Sequence, residues 1–200
     1  MPLVNIFLVF LTFALWSTSF TFGKIALQVS SPLFVTGVRM MIAGIALLIY
    51  LKVRGKSLKI YRQQWFYLSL LALFAVYLSN LFEFWGLQYL TAAKACFIYS
   101  LSPFLSAIFS YFQFKEKLTP KKCLGLFIGL VGFIPVLMAQ SDFDSLVGGI
   151  AYLSWPELAL IAATVFSVYG WIVLRKLGKD CQMSTPLANG YAMLFGGLLA

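Results

Sequence analysis

The stretch YLTAAKACFIYSLSPFLSAIFSYFQF, residues 89–114, decides the class of fold. It is mostly apolar and longer than the roughly 20 residues that a helix needs to cross a bilayer. Yet it contains Lys94, four serines and Pro103. Because charged residues inside a membrane usually face a cavity or a partner, we expect one side of this helix to face protein or water rather than lipid.

The rest of the chain is similarly apolar. Of its 200 residues, 62% are hydrophobic and only 10% are charged, against about 25% in an ordinary soluble domain. The stretches without Lys, Arg, Asp or Glu are residues 1–23, 63–82, 95–114, 123–141, 158–174 and 181–200. They do not alternate polar and apolar residues, so we predict membrane-spanning helices rather than barrel strands.

The positive charge is concentrated in alternate connections. The net charge is +9, and 12 of the 15 Lys and Arg residues fall in residues 52–62, 115–122 and 175–179. Basic connections on one side of the membrane are the positive-inside pattern. The charge therefore predicts a cytoplasmic N-terminus, and we expect no nucleic-acid partner.

These observations predict an all-α membrane protein, a polytopic helical bundle. Pro32 suits the first turn of a helix, and the basic connections end several others. The predicted helices cover residues 3–27, 32–51, 65–88, 91–114, 122–138 and 155–175, with a seventh starting near Leu187.

Two segments resemble each other. SSPLFVTGVRMMIAGIALL (30–48) and STPLANGYAMLFGGLLA (184–200) both place a hydroxyl residue before Pro-Leu and a glycine-punctuated helix. The second copy lies in the fifth predicted helix after the first. An odd offset means that the two copies run in opposite directions, as in inverted-repeat transporters. We expect a first five-helix repeat at 1–138, the start of a second at 139–200, and a complete protein of roughly 300 residues cut within the seventh helix.

Four charged residues lie inside the predicted spans: Lys24, Arg39, Glu83 and Lys94. At 1.5 Å per residue, each lies roughly 6–10 Å below the outer boundary, so we predict one shared layer around a cavity. Its sum of +2 suits a carboxylate or phosphate, and Glu83 could meet a cation or carry a coupling proton. Alternatively, the two lysines snorkel outward and Arg39 forms a fixed structural pair with Glu83.

Polar and aromatic residues accompany this layer. Trp16 and Ser19 lie in WSTSF, and Asn80 lies in the third helix. Tyr99, Ser102 and Pro103 lie in the fourth, where Pro103 permits a bend that is either a gate or a static kink. Trp16 and Tyr99 are placed to stack on a planar or cationic substrate. Each serine could instead bond only to its own helix.

Enzymatic chemistry is not expected. The chain has no histidine, and its three cysteines lack metal or disulfide spacing. This excludes His-based catalysis and His-ligated metals. We therefore expect no catalytic residues, no metal and no cofactor.

The chain resembles EamA-type members of the drug/metabolite transporter superfamily. The resemblance rests on ALWSTSFTFGKIAL, SPLFVTGVRMMIAG, YSLSP (99–103), KEKLTP (115–120) and ALIAATVFSVYGWIVLRKL. It implies ten helices in two inverted five-helix halves, both termini cytoplasmic, a central substrate cavity and no cofactor.

The resemblance also extends to single residues. Trp16, Lys24, Arg39 and Pro103 match positions where the family usually has those residue types, and Glu116 matches a structural acid at a helix end. Lys94 and Glu83 depart from the family pattern.

From the layer and the resemblance together we expect a secondary transporter that moves a small polar or zwitterionic metabolite by alternating access. Candidates are amino acids and S-adenosylmethionine, for which carriers occur in the family. The alternatives are a drug exporter of the same fold and a non-transporting membrane assembly subunit. The expected partners are the substrate and the lipid bilayer of a bacterial inner membrane, with a homodimer left open.

Overall fold

The computed structural model describes residues 2–114 and 153–200, and between them residues 119, 124–125, 127–129, 131–132 and 149–150. Most of the predicted helix at 122–138 lies outside the described residues, as does Glu116; its described pieces are helical. Among the described residues, five helices are long and apolar enough to cross a membrane: Val4–Ala26, Pro32–Val53, Arg62–Tyr89, Lys94–Gln113 and Trp155–Asp180. The predicted all-α membrane bundle is confirmed.

The elements follow the predicted order closely. The helices are α1 Pro2–Ala26, α2 Pro32–Val53, α3 Arg62–Leu71, a π-helical segment Ala72–Leu78, α4 Ser79–Tyr89, α5 Ala92–Tyr99, α6 Ser102–Phe114, α7 Trp155–Asp180 and α8 Thr185–Leu199. Two short antiparallel strands, β1 Gly149–Ile150 and β2 Leu153–Ser154, precede α7. The α3, π and α4 pieces form one continuous span.

Local capping fixes where the helices begin. The Ser31 hydroxyl accepts a hydrogen bond from the Phe34 amide at 3.3 Å, and Pro32 occupies the first turn of α2. Thr91 caps α5 in the same way through the Lys94 amide at 3.2 Å. Side-chain oxygens satisfy amides that have no partner within the helix, and proline has no amide to lose there. The outer turns are therefore set by short sequence signals.

The end of α2 needs a left-handed residue. Gly55 has φ +69°, and its amide donates to the Lys52 carbonyl while the Lys56 amide donates to the Leu51 carbonyl. These two bonds satisfy the last carbonyls of the helix, and glycine adopts this φ without a steric cost. The basic connection that follows begins at this turn.

The long span 62–89 is not a uniform α-helix. Residues 72–78 form wider π turns, where glycines of two other helices approach closely. Gly170 of α7 lies against Ala75, and a methyl group on Gly196 of α8 would lie 2.6 Å from the Val76 Cβ. Wide turns of this kind often occur near functional positions. Here they immediately precede Asn80 and Glu83.

The two segments that resemble each other pack together. Built Cβ atoms at Gly37 and Gly44 of α2 would lie 3.2 Å and 2.9 Å from the carbonyl oxygens of Gly197 and Gly190 in α8. As residue numbers rise along α2, their partners fall along α8, so the two helices run antiparallel. Glycine permits this close approach, since any side chain would collide with the opposing backbone. The repeat boundaries and the inverted relation stay predictions.

The predicted fourth helix is interrupted, and the interruption sets up the site. It ends as α5 at Tyr99 and resumes as α6 at Ser102, with a turn at residues 100–101. Pro103 has no amide hydrogen, and its ring disfavours a continuous α-helix through the preceding turn. Below this break, Phe20, Phe84, Ile98 and Leu160 form part of a buried cluster that joins α1, α4, α5 and α7.

Candidate functional site

A pocket of about 480 Å³ opens between α1, the α5–α6 break and α7. Three predicted site residues line it: Tyr99, Ser102 and Pro103. The break places them there, because Tyr99 ends one helix and the other two begin the next. One wall of the pocket therefore consists of residues that the sequence singled out, and their role in binding a substrate stays a prediction.

The remaining lining is of two kinds. Hydroxyl groups come from Ser17, Ser100, Ser106 and Ser167, and aromatic or apolar surface comes from Phe20, Trp171, Val168 and the Cys96 side chain. Sequence reasoning missed Ser106, Ser167, Val168 and Trp171. Ser17 and Phe20 flank the predicted Ser19 within WSTSF, whereas Ser167 and Trp171 are four residues apart on α7, a spacing that places them on one helix face.

Two of the pocket serines are bonded to the broken helix itself. The Ser100 hydroxyl donates to the Phe97 carbonyl at 2.5 Å, and the Ser102 hydroxyl donates to the Tyr99 carbonyl at 2.5 Å. The Phe97 carbonyl also accepts a hydrogen bond from the Ser100 amide, whereas Pro103, four residues after Tyr99, has no amide to donate to the Tyr99 carbonyl. The two oxygens can still accept a hydrogen bond from a bound molecule, but their protons are already used.

An aromatic pair forms the α1–α5 side of the pocket. The Phe20 and Tyr99 rings lie edge to face, with centroids 5.4 Å apart and planes at 60°. Both are buried, whereas Trp171 on α7 is 66% exposed. The edge-to-face arrangement is a favourable one for aromatic rings, so it fixes their orientation.

Glu83 lies behind Tyr99 as seen from the pocket. The Tyr99 hydroxyl donates to Glu83 Oε2 at 2.7 Å, while the Tyr99 ring itself lines the pocket. A phenol donating to a carboxylate is a strong, charge-assisted hydrogen bond. Tyr99 therefore separates the carboxylate from the pocket and connects the two.

Arg39 joins two other predicted site residues. Its guanidinium donates to the Ser19 hydroxyl at 3.3 Å and to Asn80 Oδ1, and it lies 4.8 Å above the Phe84 ring. Asn80 is held in place because its Nδ2 donates to the Val76 carbonyl at 2.6 Å. Sequence reasoning thus correctly grouped residues from α1, α2 and α4.

The expected structural pair of Arg39 with Glu83 is not formed. Within the described part of the chain, the two side chains make no direct ion pair, and Arg39 Nε has no hydrogen-bond partner. Neutral groups hold both charges instead: Ser19 and Asn80 bond to Arg39, and Tyr99 bonds to Glu83. We call these five residues, Ser19, Arg39, Asn80, Glu83 and Tyr99, the polar layer behind the pocket.

Lys94 lies apart from this layer. Its ammonium forms an ion pair with Glu157 Oε1 at 2.7 Å, and both side chains are buried, at 7% and 3% exposure. Glu157 also accepts hydrogen bonds from the Ser154 amide and hydroxyl at 2.7 Å and 2.9 Å. The expectation that Lys94 faces the cavity or snorkels outward is wrong, because it has a buried acidic partner.

Glu157 was missed as that partner, although the signal was present. Residues 154–157 read Ser-Trp-Pro-Glu, the spacing of a capping box, which places an acid in the first turn of a helix. The predicted helix 155–175 contains Glu157, but the predicted charge sum of the buried residues omitted it.

Lys24 also has a specific partner. Its ammonium donates to the carbonyl of Leu90, at the end of α4. This bond ties α1 to the turn between α4 and α5. The four charges therefore do not line one chamber: two belong to the polar layer, and the two lysines connect helix ends.

One other predicted site residue, Trp16, lies outside the described side chains, although its backbone is within α1. Among the described residues, no group of three His, Cys, Asp or Glu side chains is arranged to hold a metal ion.

A pocket between apolar spans, with a polar layer behind it, is the arrangement of a multi-pass membrane protein that has room for a small molecule between its helices. The chain belongs to the EamA-like transporter family, whose model matches residues 3–138. This confirms the predicted family. Its members are transporters and not enzymes.

Two curated relatives come from Chlamydia. The S-adenosylmethionine/S-adenosylhomocysteine transporter of Chlamydia trachomatis serovar L2 is 44% identical over 98% of this chain, and the one of Chlamydia muridarum is 45% identical over 98%. The chain spans 60% and 61% of the length of these relatives.

A solved crystal structure is similar in fold. Its TM-score is 0.64 at 24% identity, and the match covers 93% of this chain and 61% of that one. At this identity, the likeness shows a shared fold.

Proposed function

We propose that the complete protein is a secondary transporter of S-adenosylmethionine and S-adenosylhomocysteine. The observation that carries this proposal is the identity of 44% and 45% with the two Chlamydia transporters of that name, extending over 98% of the chain. Because the matched region covers 98% of the chain, it spans the helices that carry the pocket and the polar layer.

The pocket chemistry suits such a substrate. S-adenosylmethionine combines a flat adenine ring, ribose hydroxyls, a sulfonium and an amino-acid end. The pocket, at about 480 Å³, is within the usual range of roughly 300–1,000 Å³ for small-molecule sites. Phe20, Tyr99 and Trp171 offer aromatic faces for the ring, and Ser17, Ser106 and Ser167 offer hydroxyls to the ribose.

The proposal includes an orientation of the chain in the membrane. The basic connections at 52–62 and 175–179 support a cytoplasmic side for the ends of α2 and α7, and hence for the N-terminus. The organism of the relatives supports a bacterial inner membrane. Substrate then passes by alternating access, the turn at residues 100–101 being the interruption nearest the pocket.

Counterflow in proteoliposomes tests the transport function. The complete protein is reconstituted into vesicles loaded with unlabelled S-adenosylhomocysteine, and radiolabelled S-adenosylmethionine is added outside. We expect label to accumulate faster than in protein-free vesicles and in vesicles loaded with buffer alone.

The same vesicles distinguish the alternatives. Exchange of neutral amino acids, or of a lipophilic cation in place of the two nucleosides, would identify a different substrate class. If a monodisperse, reconstituted protein exchanged none of these compounds, the proposal of a transporter would be wrong.

A further inference from the structure

Tyr99 connects the pocket to a negative charge. Its ring lines the pocket beside Phe20, and its hydroxyl donates to Glu83 Oε2 at 2.7 Å. A phenol that donates to a carboxylate gains electron density in its ring. Because a ring attracts a cation through its negative face, this bond strengthens the attraction of Tyr99 for a positive charge in the pocket.

Glu83 makes no direct ion pair with a cation of the described residues. Arg39, the cation of the polar layer, is bonded to Ser19 and Asn80 and packed over Phe84, with no direct ion pair to Glu83. The other two buried cations of the described spans are committed to Leu90 and Glu157. A carboxylate among apolar spans is stabilised by a nearby positive charge, which a bound substrate can provide.

The serine hydroxyls of the pocket indicate which kind of cation the pocket suits. An ammonium group needs several acceptors to replace its water, whereas the protons and part of the acceptor capacity of Ser100 and Ser102 are engaged with the broken helix. A sulfonium has no N–H or O–H to satisfy and is weakly hydrated. Aromatic surface is therefore a sufficient partner for it, as it is for quaternary ammonium groups.

We propose that Phe20 and Tyr99 form a sulfonium-binding wall, and that Glu83 acts through Tyr99 as a positioning residue that favours the cationic substrate over its neutral counterpart. This rests on the proposed function, and it assigns the discrimination between the two nucleosides to one side of the pocket. S-adenosylmethionine carries the sulfonium charge, while S-adenosylhomocysteine has a neutral thioether at the same atom.

The test measures the dissociation constants of both nucleosides for the complete protein in nanodiscs. Glu83→Gln should weaken the binding of S-adenosylmethionine about 10-fold and change the binding of S-adenosylhomocysteine less than about 2-fold. Tyr99→Phe keeps the ring but loses the bond, so it should lower the same preference about 3-fold. Since Glu83 acts through Tyr99, the double variant should be no worse than Glu83→Gln alone.

Two substitutions serve as matched controls. Tyr89→Phe also removes a phenol hydroxyl, but the Tyr89 ring packs on Trp85 and does not line the pocket. Asp180→Asn removes an exposed acid at the end of α7. Both should leave the preference unchanged. Equal weakening of the binding of the two nucleosides in Glu83→Gln would overturn the proposal, and so would a preference that Tyr99→Phe leaves unchanged.

A measurement on the unmodified protein keeps the test independent of variant folding. Cys96 lines the pocket and Cys181 lies at the end of α7. S-adenosylmethionine should slow maleimide labelling of Cys96, but not of Cys181, at lower concentration than S-adenosylhomocysteine does. Equal protection by both nucleosides contradicts the sulfonium wall. If the unmodified protein binds neither nucleoside, the proposed function fails instead.

Discussion

The molecule holds its buried charges in two different ways. At the outer helix ends, Lys94 and Glu157 meet directly at 2.7 Å, and each neutralises the other. In the polar layer, Arg39 and Glu83 are each held by neutral groups and make no direct pair within the described chain. The first arrangement joins α5 to α7 and cancels its own field. The second leaves a field that a molecule in the pocket can experience.

Breaking the direct pair should have the largest effect on stability. Lys94→Met leaves the Glu157 carboxylate buried without its cation, which typically costs about 3–5 kcal/mol. We expect the apparent Tm in detergent, followed by fluorescence-detected gel filtration, to fall by about 5–10 °C.

A second substitution identifies the cause. Glu157→Gln removes the charge but keeps the capping box with Ser154, since glutamine serves equally at that position. Adding it to Lys94→Met should recover part of the lost Tm. A double variant less stable than Lys94→Met would show that packing around the lysine stem, and not the unpaired carboxylate, determines the loss.

Removing the cation of the polar layer should have a smaller effect. Arg39→Met leaves Ser19 and Asn80 without their donor, which costs about 2 kcal/mol for buried groups of this kind. Arg39→Lys should not restore the Tm fully, because one ammonium cannot reproduce the flat guanidinium over Phe84 with both bonds. Full rescue by lysine would mean that only the charge matters.

The Tyr99 hydroxyl contributes one hydrogen bond, so removing it should lower stability less than the Arg39 substitution does. Tyr99→Phe should reduce the free energy of unfolding by about 1–2 kcal/mol, measured as a small fall in Tm. Glu83→Gln can still accept from the phenol and should be closer to the unmodified protein. A larger loss for Glu83→Gln than for Tyr99→Phe would indicate that the carboxylate has a structural role beyond this bond.

Lys24 should matter least. It donates to a single carbonyl at the end of α4, and the Lys24 side chain is itself only half-buried. Lys24→Met should therefore cost about 0.5–1 kcal/mol, a Tm change near the limit of the same assay. A fall as large as that of Lys94→Met would contradict the distinction between a helix-end tie and a buried pair.

The spans were predictable because their signals are local. Hydropathy and length determine where a helix can cross, and Ser31, Thr91 and Pro103 mark starts and a break within a few residues. The partners of the charges were not predictable in the same way. Depth follows from counting residues, but direction around the helix axis depends on how neighbours pack, so Lys94 was grouped with Arg39 and Glu83 and its ion pair with Glu157 was not predicted.

The pocket shows the same limit. Tyr99, Ser102 and Pro103 were found because they surround a break that the sequence marks. Ser167 and Trp171 come from a helix with no break and no charge at that level, and only the packing of α7 against α5 brings them to the pocket. Sequence alone did not distinguish that face of α7 from its lipid-facing side.

The π turns at residues 72–78 set the rotation of everything after them. A helical wheel drawn for an unbroken α-helix across residues 62–89 would point Asn80 and Glu83 toward other neighbours. If this segment tightened to ordinary α geometry, the residues after it would rotate about the helix axis, and both side chains would turn away together from Arg39 and Tyr99. The winding of seven residues thus determines which neighbours Asn80 and Glu83 can reach.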